Sequence, residues 1–266
     1  MAAINRNITR TILDSTEKTL QTSSPSSDTL AFNLTASTQK FYIGFKERFQ
    51  SRYFLMSVAN VTTSVVTIKY WNGTSYQAVA DVVDMTVGFT RSGFISWENK
   101  SDWQLKAQSG VSTELYWVEL TVSVTLHAST VLQCVENIFC DDALLGAYYP
   151  ELISDTGYLP PGKLNFMAQY IAAKDLVVSR LKRDRIIEDE SQILDINQVA
   201  IAATRATAWI IYSAIVTAGA DQGLVDKIFA DFQEELNQSK LSFDYNNSGI
   251  IDEHEKNTGS IVICRR

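Results

Sequence analysis

The hydrophobic period of this chain changes near residue 130, and no single kind of element can satisfy both periods. Upstream of that point β-branched and aromatic residues dominate. Leu115, Trp117, Glu119 and Thr121 alternate with Tyr116, Val118, Leu120, Val122 and Val124, which is the spacing of a strand with one buried face. Residues 41–45, 53–58 and 65–71 have the same character. Asn72-Gly73 lies between IKYW and TSYQAV and predicts a hairpin. Several strands separated by turn signals predict an antiparallel β-sandwich or jelly-roll-like domain over residues 29–132. Trp71, Trp97, Trp103 and Trp117 fit the core of that sandwich. The alternative use of such rings is an exposed platform for carbohydrate.

Downstream the period is helical. Residues 140–150, CDDALLGAYYP, predict a short helix stopped by Pro150, with Asp141 or Asp142 near its start. Pro160-Pro161 mark a loop over 156–162. A long amphipathic helix is expected over 164–190, with Phe166, Tyr170, Ile171, Leu176, Val177 and Leu181 at helical spacing. A second, alanine-rich helix is expected over 195–218 with Asp195 as its cap. A third, over 221–239, carries Leu224, Ile228, Phe232 and Leu236 on one stripe. Residues 261–266 read as a terminal strand. The fold class is therefore α+β: a β-sandwich domain followed by a helical bundle over 133–266. Residues 1–28 are rich in Ser, Thr and Asn and read as a polar N-terminal arm.

Charge separates the halves as well. Residues 1–130 hold 11 Lys/Arg against 10 Asp/Glu, and the remaining 136 hold 12 against 20. An acidic surface is a poor general binder of nucleic acid, whose affinity comes from neutralised phosphates. It does suit a channel through which DNA slides without sticking. Residues 1–18 have no apolar core of signal-peptide length, and no stretch approaches the ~20 apolar residues of a membrane span. Cys134, Cys140 and Cys264 are too few for a disulfide scaffold and read as reduced structural thiols.

Catalytic patterns are missing from the sequence. His127 ends a strand pattern and His254 sits in an acidic segment, neither beside a nucleophile. Residues 157–164, GYLPPGKL, imitate a phosphate loop. However, Leu164 stands where a metal-binding hydroxyl is needed, and two prolines remove amides. Cys134 and Cys140 have no second Cys/His pair for zinc. The expectation is a protein without enzymatic activity, although a glycosidase carboxylate pair has no sequence motif to exclude it.

One segment carries specific chemistry. Residues 244–255, DYNNSGIIDEHE, follow the twelve-residue EF-hand calcium loop. Asp244, Asn246 and Ser248 take ligand positions one, three and five. Gly249 permits the sharp turn, the Ile250 carbonyl is position seven, Asp252 is position nine and Glu255 is the bidentate twelfth. Calcium is a hard cation that this spacing surrounds with oxygens. Only three of those ligands are carboxylates, and no exiting helix follows. The same residues also suit a tight Asx/Gly turn bonded to its own backbone. A bound Ca²⁺ would have a structural role.

With these features in view, the chain resembles virion proteins of tailed bacteriophages. The helical part is similar to head–tail connector (adaptor, or head-completion) proteins, in which helices such as those at 164–190 and 195–218 pack together. A segment like the 244–255 loop recurs in some phage adaptors. The β part, with TIKYWNGTSYQAV and TRSGFISWENKSDW, resembles phage accessory sandwich domains of tails, necks and baseplates. The resemblance implies a homo-oligomeric neck ring, dodecameric in the family, that joins the portal protein to tail and neck proteins. It implies location in the virion after assembly in the host cytoplasm, and passage of genomic DNA without sequence-specific binding. It further implies partner contacts through basic Arg180, Lys182, Arg183 and Arg185, and through a terminal strand with Ile261, Ile263, Arg265 and Arg266 adding to a neighbour's sheet. The same cations also fit a solvated helix end, where positive charge favours the dipole. The competing class is a glycan- or surface-binding sandwich of a baseplate, fibre or capsid decoration.

Overall fold

The computed structural model describes residues 9–23, 29–36, 38–98, 100–159, 165–188, 190–193, 195–216, 222–238, 241–245 and 251–255. The chain divides into two compact units, Met1–Asn137 and Ile138–Arg266, strands first and helices after, an α+β organisation.

The strands of the first unit are β1 (Arg10–Leu13), β2 (Thr16–Glu17), β3 (Leu30–Ala31), β4 (Phe41–Phe45), β5 (Ser51–Val58), β6 (Val66–Trp71), β7 (Tyr76–Ala78), β8 (Val83–Asp84), β9 (Gly93–Ser96), β10 (Leu105–Gln108), β11 (Val111–Val122) and β12 (Val131–Glu136). A single helical turn, α1 (Thr19–Thr22), follows β2. One antiparallel sheet runs β2-β1-β4-β11-β6-β7, with β10 also on β11, and the other runs β3-β12-β5-β9-β8. Both feed one core. Phe41, Ile43, Ile68, Val118 and Leu120 come from the first sheet and Phe54, Ile95 and Leu132 from the second, which makes the unit sandwich-like. Phe32 seals it with edge-on contacts to Phe41 and Phe89.

The hairpin expected at Asn72-Gly73 joins β6 to β7. Gly73 takes φ +97°, and Asn72 Oδ1 accepts from the amides of Thr74 and Ser75. Residues 1–28, expected as a polar N-terminal arm, form regular structure in their described part. Residues 10–13 form β1, in register with β4 from Arg10 opposite Gly44 to Leu13 opposite Phe41. The Thr-rich composition that suggested solvation serves internal bonding instead. Thr11 and Thr22 share a hydroxyl contact of 2.6 Å, and the Thr11 amide donates to Thr19 Oγ1. β-branched threonines pack well on a pleated surface once their hydroxyls are paired.

The alternation in β11 predicted one buried face, and the strand is in fact buried on both. Leu115 and Trp117 belong to a second apolar cluster with Ile12, Tyr42 and Val111. Trp117 lies opposite Gly44, and its ring occupies the space a side chain would take, with ring carbons 2.5–2.7 Å from an ideal Cβ at Gly44. Its indole N–H donates to the Lys106 carbonyl at 2.8 Å.

In the second unit α2 (Asp142–Tyr148) is capped by Asp141, whose Oδ1 accepts from the Leu144 amide at 3.0 Å. Pro150 does stand beyond its end but also opens a further helix, α3 (Pro150–Ser154), because proline suits the first helical turn. The later helices are α4 (Met167–Arg183), α5 (Asn197–Val216) and α6 (Gln222–Gln238). The helix expected over 164–190 is shorter than its periodicity suggested and stops where Arg185 turns left-handed. α5 packs against both α4 and α6 through small buried residues, Ala202, Ala203, Ala206 and Ala208. Thr204 and Thr207 are buried on the same helix. Each hydroxyl donates to the carbonyl four residues back, which satisfies it inside an apolar contact. Arg205 joins α5 to α6 through the Asp231 carbonyl and Glu235. On α6, Val225, Ile228, Phe232 and Leu236 are buried, whereas Leu224, expected on that stripe, is exposed.

Replacing Gly44 by alanine forces the Trp117 ring from its place. We expect a loss of about 1–3 kcal/mol, the usual cost of overpacking a core, read by denaturant unfolding of the intact chain.

Candidate functional site

Of the four tryptophans in the first unit, three are core. Trp97, Trp103 and Trp117 are at most 4 % exposed, and the Trp103 indole N–H donates to the Trp117 carbonyl. Trp71 is half-buried, with Lys106 Nζ 3.7 Å above its ring and Tyr76 beside it. A coplanar exposed platform is therefore absent among these four rings.

The first unit holds a polar cluster that the sequence did not reveal. Glu119 is 1 % exposed and sits between strand neighbours Tyr42 and Lys69. Lys40 Nζ lies 2.9 Å from its carboxylate, Lys69 Nζ 3.6 Å, and the Tyr42 hydroxyl donates at 3.2 Å. Burial, then the charge of Glu119, pushes the Tyr42 hydroxyl up to about 12. A carboxylate facing two lysines and a phenol that stays protonated is a structural ion cluster. The available signal was a set of residues of complementary charge, but their register was needed to see it.

The basic residues lie at the C-terminal end of α4. Arg180 Nε pairs with Asp184 at 2.6 Å, and Arg183 Nε lies 3.7 Å from the same carboxylate; Lys182, Arg183 and Arg185 are exposed. The helix ends in a Schellman motif: the Arg185 amide donates to the Lys182 carbonyl and the Ile186 amide to the Leu181 carbonyl. The left-handed position of that motif normally belongs to glycine. Here Arg185 takes it at φ +58°, which strains an L side chain. The motif redirects the chain and presents three cations together, where they also complement the helix dipole.

At the other candidate site, Asp244 and Glu255 open and close the twelve-residue loop, and each is 2 % exposed. The Asp244 amide donates to the Gln192 carbonyl and the Asp252 amide to Glu255 Oε2. The side chain of Asp252 is exposed. Asn246, Ser248 and Ile250 lie outside the described residues, as do Ile261, Ile263, Arg265 and Arg266. Among the described residues no group of three or more His, Cys, Asp or Glu side chains gathers around a metal position.

The remaining reactive groups are quiet. Cys134 and Cys140 are buried free thiols. Burial pushes Cys140 up to about 12, against a hydrogen bond with Thr207 that works the other way. His127 bonds Ser129 through Nδ1 at 2.7 Å, and His254 is exposed. Lys174 sits beside Glu190 and Asp175 at 3.1 and 3.0 Å. Burial opposes its charge, and the two carboxylates outweigh burial and hold its pKa above the ordinary value. Asp142, Asp155 and Phe166 line a cavity of about 90 Å³, well below the size of usual small-molecule sites. Among the described residues no helix is long and apolar enough to cross a membrane.

If Arg185 is held in a strained conformation for the sake of its charge, then glycine there will be more stable. We expect Arg185→Gly to raise stability by roughly 0.5–1 kcal/mol, measured as a higher Tm of the full chain. No family model matches the chain, and no curated protein is similar to it.

Proposed function

We propose that this chain is a structural, non-enzymatic protein of a tailed-bacteriophage particle, a head–tail connector that forms a ring at the neck between portal and tail. In this reading the first unit is a jelly-roll-like accessory domain and the second a helical bundle that meets the portal. The observation that carries the reading is the second unit itself. α5 packs against α4 and α6, and α4 ends in three exposed cations set in an otherwise acidic half. That arrangement suits acidic protein neighbours, while the net negative charge of the half suits a conduit that does not retain DNA. The residues 261–266 would extend a neighbour's sheet by edge pairing. The glycan-binding alternative loses support because Trp97, Trp103 and Trp117 are buried.

The test is copy number. Quantitative mass spectrometry of the purified source virion should find this chain in ring stoichiometry with the portal protein. Hundreds of copies would instead mean decoration, and absence from particles would overturn a virion role.

We propose further that the 244–255 loop holds a structural Ca²⁺. The ligand spacing of the segment supports it, and Asp244 and Glu255 at its two ends are both buried. Asp244, Asn246, Ser248, Asp252 and Glu255, with the Ile250 carbonyl, would be the ligands. Calorimetry on the intact chain should give heat on adding Ca²⁺, with a higher Tm. Both should be lost in Glu255→Gln. No heat at millimolar Ca²⁺ would leave the loop an Asx/Gly turn.

A further inference from the structure

The turn between β6 and β7 concentrates hydrogen-bond donors on one side-chain oxygen. Asn72 Oδ1 accepts three bonds at once, from the Thr74 amide at 3.0 Å, the Thr74 hydroxyl at 2.9 Å and the Ser75 amide at 2.9 Å. Backbone amides only donate, so the oxygen of the side chain, and not its nitrogen, is the atom that faces them. The Asn72 amide donates to the Ser75 carbonyl at 3.2 Å and closes the turn. A side chain bonded to the amides two and three residues on is folded back over its own peptide. That brings Asn72 Cγ toward the Gly73 nitrogen.

The groups beside that oxygen are open. Among the described residues nothing accepts from the Gly73 amide and nothing pairs with Asn72 Nδ2. Gly73 is exposed, and it has no side chain to shield its nitrogen. Asn72-Gly73 is the one Asn-Gly pair in the chain. Asn60 makes the contrast: it is buried, and the branched side chain of Val61 crowds the nitrogen that follows it.

We infer that Asn72 is a site of spontaneous covalent modification, converted to isoaspartate and aspartate, and that the folded turn promotes the reaction. The Gly73 nitrogen gives up its proton to hydroxide and attacks Asn72 Cγ. Negative charge develops on Oδ1, where three donors already point, which is the arrangement of an oxyanion hole. Holding the attacking nitrogen close to Cγ lowers the barrier further. The bond from Cγ to Nδ2 then breaks. Nδ2 takes up a proton and leaves as ammonia, and a five-membered cyclic imide remains. Water adds to either imide carbonyl and opens the ring, so the balance is one water in and one ammonia out. The aspartate product can keep the three bonds. The isoaspartate product cannot, because its main chain runs through the former side chain and gains one carbon. β7 is three residues long and is the end strand of its sheet, so it is the element released. Its Tyr76 lies against Trp71, and Lys106 Nζ stands over both rings; that contact opens with it. The inference does not depend on a role at the phage neck.

Peptide mapping of the full chain, incubated folded at mildly alkaline pH, tests it by mass spectrometry that separates isoaspartate from aspartate. Asn72 should convert ahead of every other asparagine, and heavy-oxygen water should label the product, as ring opening requires. Conversion should be faster in the folded chain than in the same chain unfolded in urea, because unfolding scatters the three donors. Thr74→Val removes only the hydroxyl donor. It should slow conversion about tenfold, less than an enclosed oxyanion hole loses, since this turn is open to water. In urea the variant and the wild type should convert at one rate, which separates a lost donor from a change in the intrinsic chemistry. Faster conversion of the wild-type chain on unfolding overturns the inference. So does a folded Thr74→Val variant that converts at the wild-type rate, or another asparagine that outruns Asn72.

Discussion

Backbone hydrogen bonding leaves β11 no free edge between Val118 and Leu120, for β4 takes one side and β6 the other. Side chains close both faces as well, with Val118 and Leu120 in the shared core and Trp117 against Gly44 on the opposite side. A strand confined in four directions cannot slip, because a shift of one residue would exchange its two sets of side chains. It would place Glu119 in the hydrocarbon core and strip it of Lys40 and Lys69. The first sheet takes its register from this strand, and the second sheet inherits its position through the core that both share.

The β-then-α order, the hairpin at Asn72-Gly73, and most of the buried stripes of α4 and α6 were legible because each depends on local period or local turn chemistry. What escaped depends on distant partners. Thr9–Thr22 reads as solvated until β4 is known to lie beside it, and Glu119 reads as an outward polar residue until Lys40 and Lys69 flank it in register. The early stop of α4 was hidden for a different reason. Arg185 has no propensity for the left-handed turn it adopts, so the signal that usually marks a helix end, glycine, was absent.

The candidate sites divide in the same way. The cations at the end of α4 could be named from sequence, since a run of Lys and Arg after an apolar stripe is a local pattern. Their common exposure could not, because it follows from the reversal at Arg185. The calcium-loop spacing was visible as a motif, yet the burial of Asp244 and Glu255 comes from packing. The junction at Asn60, a buried side chain that ties the loops 59–65, 85–92 and 123–130 through Thr62, Gly88 and His127, had no sequence signal at all. An asparagine in a Thr-rich stretch looks like an ordinary turn residue, and its partners lie 28 and 67 positions away.

That junction also bears on how the unit could change over time. Loops usually accept insertions freely because each is held only at its own two ends. Here three loops share one amide group, so their lengths are not independent variables. An added residue in 85–92 would displace the carbonyl that Asn60 holds and, through it, the segment at His127. Variation in this end of the molecule should therefore run through side-chain identity at fixed length, with the three segments keeping or abandoning their present geometry as a set.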